Sequence, residues 1–266
     1  MTIHRVANYE EEYRLRALSN DVNQLTGRTR PLLTEFVNDR IIDKLELKPG
    51  SVVVDIGCGN GSFLQKAAEK GVHANGGRLI GILPTEEEAR SLRQYLADAG
   101  KGFISVQVGR LDRIGLNDGL ADVVVSNSVF ILLDNKEAAI EALLEIKRIA
   151  KPGCHVFIGE LPDRNEMAGR AYGNSISAWL LWVLRNRGLK AFIASCREVL
   201  RALLTDEPFI ISTKKVFHCD PQDFKNLLDG HGLSVLEYYR HKEIDANGNI
   251  HESATRWNFL ARKAGA

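Results

Sequence analysis

The stretch Val53-Val-Asp-Ile-Gly-Cys-Gly-Asn-Gly-Ser-Phe63 constrains this chain more than any other. Val52 to Ile56 is a mostly β-branched run of the kind that fills a strand buried on both faces. Gly57, Gly59 and Gly61 end it, and a helical pattern from Ser62 to Lys70 follows directly. Glycines here let the backbone turn sharply and approach a ligand closely. Asp55 falls at the strand end, where its carboxylate can accept from loop amides or meet a ligand ammonium. The amides that open the helix favour an electronegative group.

The same alternation continues downstream. Strands are predicted at Arg78–Leu83, Ile104–Val108, Ala121–Ser126 and His155–Gly159. Helices are predicted at Thr85–Ala99, where Thr85 and Glu88 have capping-box spacing, and at Lys136–Ala150, which Lys151-Pro152-Gly153 stops. Strands alternating with helices imply a parallel sheet covered on both faces, with ligands beyond the carboxyl strand ends where strand order reverses. Before this core, residues 9–47 read as two helices broken between Thr26 and Pro31. After it, 163–204 is helical with a break at Gly188, and Phe209–Val216 is extended. Pro221–Gly230 is helical, and Leu233–Tyr239 and Trp257–Arg262 are closing strands around an Asp-Ala-Asn-Gly-Asn turn. The resulting division is a helical cap segment over 1–50, a core over 51–162 and 209–266, and a helical insertion over 163–208.

Composition narrows the function classes. A chain of 266 residues accommodates one large α/β domain, or one with a cap. A net charge of +1 gives no argument for a nucleic-acid partner. Cys58, Cys154, Cys196 and Cys219 are far apart and form no C-x-x-C pair, so no metal site is expected. Reduced thiols and the lack of a signal-like apolar run near Met1 make a cytoplasmic protein the expectation. No apolar run approaches the roughly 20 residues of a transmembrane segment.

The glycine stretch resembles the first motif of the class I S-adenosylmethionine-dependent methyltransferases, hydrophobic-Asp-hydrophobic-Gly-x-Gly-x-Gly. Asp122-Val-Val-Val-Ser-Asn-Ser is similar to that family's fourth strand, and Lys151-Pro152-Gly153 to the turn before its fifth. Gly232 with the strand after it, and Trp257–Arg262, resemble its closing strands. The likeness covers 50–160 and 217–262. It implies a Rossmann-like α/β fold, a seven-stranded mostly parallel sheet with an antiparallel final strand, flanking helices and a helical cap. It also implies S-adenosyl-L-methionine as cofactor. Asp55, Gly57, Cys58, Gly59, Asn60 and Gly61 would hold the methionine part; Ile82, Leu83 and Pro84 would line the ribose. Arg110 and Leu111 would flank adenine, and Ser126, Asn127 and Ser128 would form the floor near the methyl. The implied activity is O- or N-methylation of a small-molecule substrate.

Two positions depart from the family pattern. Leu83 stands where an acid usually accepts the ribose hydroxyls, and Arg110 where an Asp usually receives the adenine amino group. Three explanations follow: a neighbour such as Glu86, Glu87 or Asn60 replaces the acid; the cofactor is altered; or the chain is a catalytically silent, methyltransferase-like binding or structural protein.

Glu160, at the mouth of the fifth strand, is placed to orient or deprotonate an acceptor, or else is a surface or helix-capping carboxylate. His218 before a helix and His241 after a strand are the other general-base candidates, against a structural reading of each. Tyr172, Tyr238 and Tyr239 suit a substrate pocket or simple packing. Arg164, Arg170, Arg185 and Arg187 suit an anionic substrate group or a solvated helix face. Ala178–Leu184, with two tryptophans beside basic residues, suits a cap or homodimer contact, or a peripheral membrane contact.

Overall fold

The computed structural model describes residues 3–6, 9–17, 25, 31–167, 176–204, 209–212, 217–245 and 248–265. Contacts divide the chain into two units, one of residues 1–20 with 168–215, the other of 21–167 with 216–266.

The larger unit is built on strands β2 (Val52–Ile56), β3 (Arg78–Leu83), β4 (Ser105–Val108), β5 (Ala121–Asn127), β6 (Ala150–Pro162), β8 (Leu233–Ile244) and β9 (Ile250–Lys263). They form one seven-stranded sheet in the order β4-β3-β2-β5-β6-β9-β8. The first five pair in parallel, and β9 runs antiparallel to both neighbours. The chain therefore leaves β2 toward one edge and returns through β5 toward the other. This reversal places the β2 loop at the topological switch point.

Helices α3 (Ser62–Glu69), α4 (Glu86–Asp98), α5 (Lys136–Ile149) and α8 (Pro221–Gly230) complete this unit with α2 (Pro31–Lys44) and the single turn α6 (Arg164–Met167). The Thr85–Glu88 spacing read from the sequence operates as a cap, and the structure adds two more. Thr85 accepts from the Glu88 amide at α4, Asn135 from the Ala138 amide at α5, and Asp220 from the Gln222 and Asp223 amides at α8. Under α5 and α8 the core collects Val54, Ile80, Val124, Val156 and Ile146. Phe224 packs edge-on against Phe130 and Phe259 at 5.6 and 4.9 Å between centroids.

Residues 31–50 go with the sheet rather than with residues 1–20. The Asn38 amide donates to Ser62 Oγ at 2.8 Å, and Lys44 pairs with Glu237 at 2.7 Å, tying α2 to α3 and β8. The closing strands are longer than the sequence reading: β8 has 12 residues and β9 has 14. Their outer halves pair only with each other, as in Lys242↔Glu252, so they need no apolar face there. The Lys151-Pro152-Gly153 turn survives as an irregularity inside β6, whose register shifts between its pairings with Ala121 and Val123.

The smaller unit contains α1 (Tyr9–Ala17), α7 (Ile176–Leu204) and a two-stranded parallel sheet of β1 (Ile3–Val6) and β7 (Phe209–Ser212). Gly188, at φ 78° and ψ 176°, breaks α7 where the sequence places a break. Leu18, Val22, Gly27, Arg170, Tyr172 and the side chains of Trp179, Trp182 and Arg187 lie outside the described residues. Among the described residues no helix is long and apolar enough to cross a membrane.

Candidate active site

The carboxyl end of β2 opens into three left-handed glycines, Gly57, Gly59 and Gly61, at φ 73°, 54° and 71°. The loop folds over β3, because the Gly57 amide donates to the Ile82 carbonyl at 2.8 Å. A Cβ at Gly57 would lie 2.4 Å from Val129 Cγ2, and one at Gly61 would lie 3.3 Å from Leu92. The Cys58 side chain fills the space above Gly81, where a Cβ would meet its sulfur at 2.6 Å. Burial pushes the Cys58 thiol pKa well up, and the charges of Asp55 and Glu88 add to the effect. Asp55 is buried at the strand end. Asn60 Oδ1 accepts from the Ser62 amide at 3.1 Å, so this side chain helps to start α3.

The neighbouring strand end is different. Leu83 is 2% exposed, and its carbonyl accepts from the Gly109 amide at 2.9 Å. Pro84 is half-buried beside it. Glu86 is exposed and paired with Arg93 at 2.9 Å, and Glu87 is exposed. The buried acid of this turn is Glu88, which accepts from the Thr85 hydroxyl at 2.7 Å. Sequence reasoning took Glu88 only as a cap. Its position four residues before Leu92 on the apolar stripe of α4 was the available signal. Arg110 is exposed and donates to Asp112 at 3.1 Å, while Leu111 is buried in the core.

A second polar group lies at the ends of β5 and β6. Ser128 and Glu160 are non-glycine residues with left-handed backbone, at φ 63° and 59°, and the Ser128 amide donates to the Gly159 carbonyl at 3.0 Å. Asn127 donates to Glu160 Oε1 at 3.1 Å, and Arg256 donates to Glu160 Oε2. The Glu160 amide donates to Asn258 Oδ1 at 3.0 Å, and Asn258 Nδ2 lies 3.3 Å from His241 Nδ1. Glu160, His241 and Asn258 are all buried. Burial also raises the Tyr239 phenol pKa above its ordinary value, while a hydrogen bond with Asn258 works against that rise. Val37, Ile41, Phe157, Tyr239, His241 and Asn258 line a recess next to this network. His218, by contrast, is exposed on the segment before α8. Arg256 and Asn258 escaped the sequence reading, although Asn258 is a polar residue inside the apolar run Trp257–Ala261.

These residues suit the proposed cofactor at one end and not the other. The bare Cα positions permit close approach of a ligand to the backbone, while the Gly57, Cys58 and Gly61 amides already donate to the Ile82 and Cys58 carbonyls. Ser126 Oγ and Asn127 Oδ1 are enclosed and have no hydrogen-bond partner among the described residues, which is costly unless a ligand donor meets them. At Leu83 there is no side-chain acceptor for a ribose diol.

Residues 54–158 match the family model described as a methyltransferase domain, a span that holds the glycine loop, Leu83, Arg110, Ser126 and Asn127. The chain is 31% identical over 123 residues to an uncharacterized 37.1 kDa protein in transposon TN4556 of Streptomyces fradiae, covering 46% of this chain and 33% of that protein. It is 33% identical over 88 residues to nocamycin O-methyltransferase of Saccharothrix syringae, covering 33% of this chain and 31% of that protein. The chain thus spans about a third of the length of these curated relatives. A SAM-dependent methyltransferase from Aquifex aeolicus shares the fold with a TM-score of 0.57 at 16% identity, covering 92% of this chain and 100% of that one.

Proposed function

We infer that this chain, whose residues 54–158 match a methyltransferase domain, is a class I S-adenosylmethionine-dependent methyltransferase that transfers a methyl group to an oxygen or nitrogen of a small-molecule acceptor. The observation that carries this reading is the loop of left-handed glycines between a buried strand and a helix, at the sheet's switch point. Asp55 and Gly57–Gly61 would hold the amino-acid end of the cofactor. Ile82, Leu83 and Pro84 would line the ribose, Arg110 and Leu111 the adenine, and Ser126 and Asn127 the region of the methyl. When bound, S-adenosyl-L-methionine supplies a methyl carbon already activated by a positive sulfur.

The chain's own work is positioning and proton handling. We assign the acceptor to Glu160 rather than to exposed His218. Arg256 favours Glu160 as a carboxylate, which can only accept hydrogen bonds, so it would orient an acceptor O–H or N–H and receive its proton. Asn127 and Asn258 fix its side chain and its backbone. His241 Nδ1, accepting from the Asn258 side-chain amide, would hold the orientation in which Asn258 Oδ1 receives the Glu160 amide.

Calorimetry with S-adenosylmethionine and S-adenosylhomocysteine tests the reading. Micromolar binding, lost in a folded Asp55→Ala protein, is the expected result. If neither ligand binds the wild type, the silent module suggested by Leu83 and Arg110 takes its place.

A further inference from the structure

A ribose carries two vicinal hydroxyl donors, and a carboxylate is the one side-chain group that can accept both without offering a donor of its own. At the end of β3 this chain offers Leu83, whose side chain has no acceptor and whose carbonyl already serves Gly109. One turn on, the structure buries a carboxylate. Glu88 is 1% exposed, in the same row of α4 as Leu92 and Leu96. Leu92 is the side chain that a Cβ at Gly61 would touch, so this row faces the glycine loop. Across the gap, Cys58 sits over Gly81, two residues before Leu83, and the Glu88 charge reaches its thiol. Thr85 donates to Glu88 Oε2 and fixes the carboxylate's direction, while a carboxylate has acceptor sites for further donors. A cap alone does not require burial, since an exposed acid three residues into a helix caps as well.

We propose that Glu88 is a specificity-determining residue that recognises the ribose diol of the bound nucleoside, reaching the site from α4 in place of a side chain at the end of β3. This rests on the cofactor reading given above. The charge-assisted hydrogen bonds to the diol come from the helix, and Leu83 is left to pack.

The test is calorimetry of S-adenosylhomocysteine against its 2′,3′-dideoxy analogue, which lacks both hydroxyl donors. The wild type is expected to prefer the hydroxylated ligand by roughly tenfold or more. Glu88→Gln, which keeps size and shape, should lower that preference at least about fivefold while changing affinity for the dideoxy ligand little. If Glu88→Gln does not fold, Glu88→Asp retracts the carboxylate by one carbon and should reduce the preference in the same direction. A wild type without preference, a variant with the preference intact, or equal weakening for both ligands overturns the proposal, the last by giving Glu88 a purely structural role. Absence of S-adenosylhomocysteine binding to the wild type would instead remove the cofactor reading itself.

Discussion

At the end of β2 the chain turns through Gly57, Gly59 and Gly61; at the ends of β5 and β6 it turns through Ser128 and Glu160, with nearly the same φ. The first turn is built from residues for which left-handed backbone carries no steric penalty. The second is built from residues for which it costs roughly 1–2 kcal/mol each. The glycine turn is therefore shaped locally, and its worth lies in the absence of side chains. The other turn needs the rest of the molecule: Arg256 and Asn258 from β9 hold Glu160, and the Gly159 carbonyl holds the Ser128 amide. Strain kept in place by distant partners at a sheet's carboxyl edge is characteristic of functional sites. The two turns thus divide the proposed work, backbone for the cofactor and side chains for the acceptor.

The sharpest way to break this contrast is Gly57→Ala. The new Cβ combines a left-handed φ of 73° with a position 2.4 Å from Val129 Cγ2. Strain and overlap together should cost about 3 kcal/mol, read from urea denaturation. Val129→Ala in the same chain should recover the overlap but not the strain. A neutral Gly57→Ala would mean that the loop does not hold this shape in solution.

On the other turn, Arg256→Met tests whether the partners hold it. Glu160 is buried, and the variant leaves its carboxylate without its cation. Breaking a buried pair in this way costs about 3–5 kcal/mol. Here the Arg256 side chain is 35% exposed, so a loss nearer 2 kcal/mol is expected by the same denaturation experiment. The ranking matters: Gly57→Ala should be the more damaging, because it adds to the overlap with Val129 a backbone strain that no change elsewhere relieves. If Arg256→Met is silent, the ion pair does not hold the Glu160 turn.

The same contrast explains what could be read from sequence. Asp55 and the three glycines announce themselves because their meaning is local: a strand pattern, a glycine spacing and a helix start within a dozen residues. The parallel core between β2 and β6 was legible for the same reason. Glu160 was legible only as an acid at a strand end. Its partners Arg256 and Asn258 lie 96 and 98 residues away, and no local pattern links them. The strand at Ile3–Val6 was missed likewise, since it exists by pairing with Phe209–Ser212. Glu88 is the intermediate case: its capping spacing was visible, but its burial depends on where α4 lies against the loop.

The smallest expected effect sharpens the comparison most finely. Ser128→Gly converts one member of the strained turn to the residue type of the other turn. Relief of the left-handed strain, roughly 1–2 kcal/mol, exceeds the roughly 0.5–1 kcal/mol that glycine gives up through its freer unfolded chain. The variant should therefore be more stable by about 0.5 kcal/mol, a rise of about 1–2 °C in Tm by calorimetry. Its amide still donates to the Gly159 carbonyl, so the turn should persist and S-adenosylhomocysteine affinity should stay within about twofold of wild type. Destabilisation instead would mean that the Ser128 side chain contributes more to the turn than its backbone strain removes, and the division between a turn that needs no side chains and one held by them would then extend to Ser128 as well as Glu160.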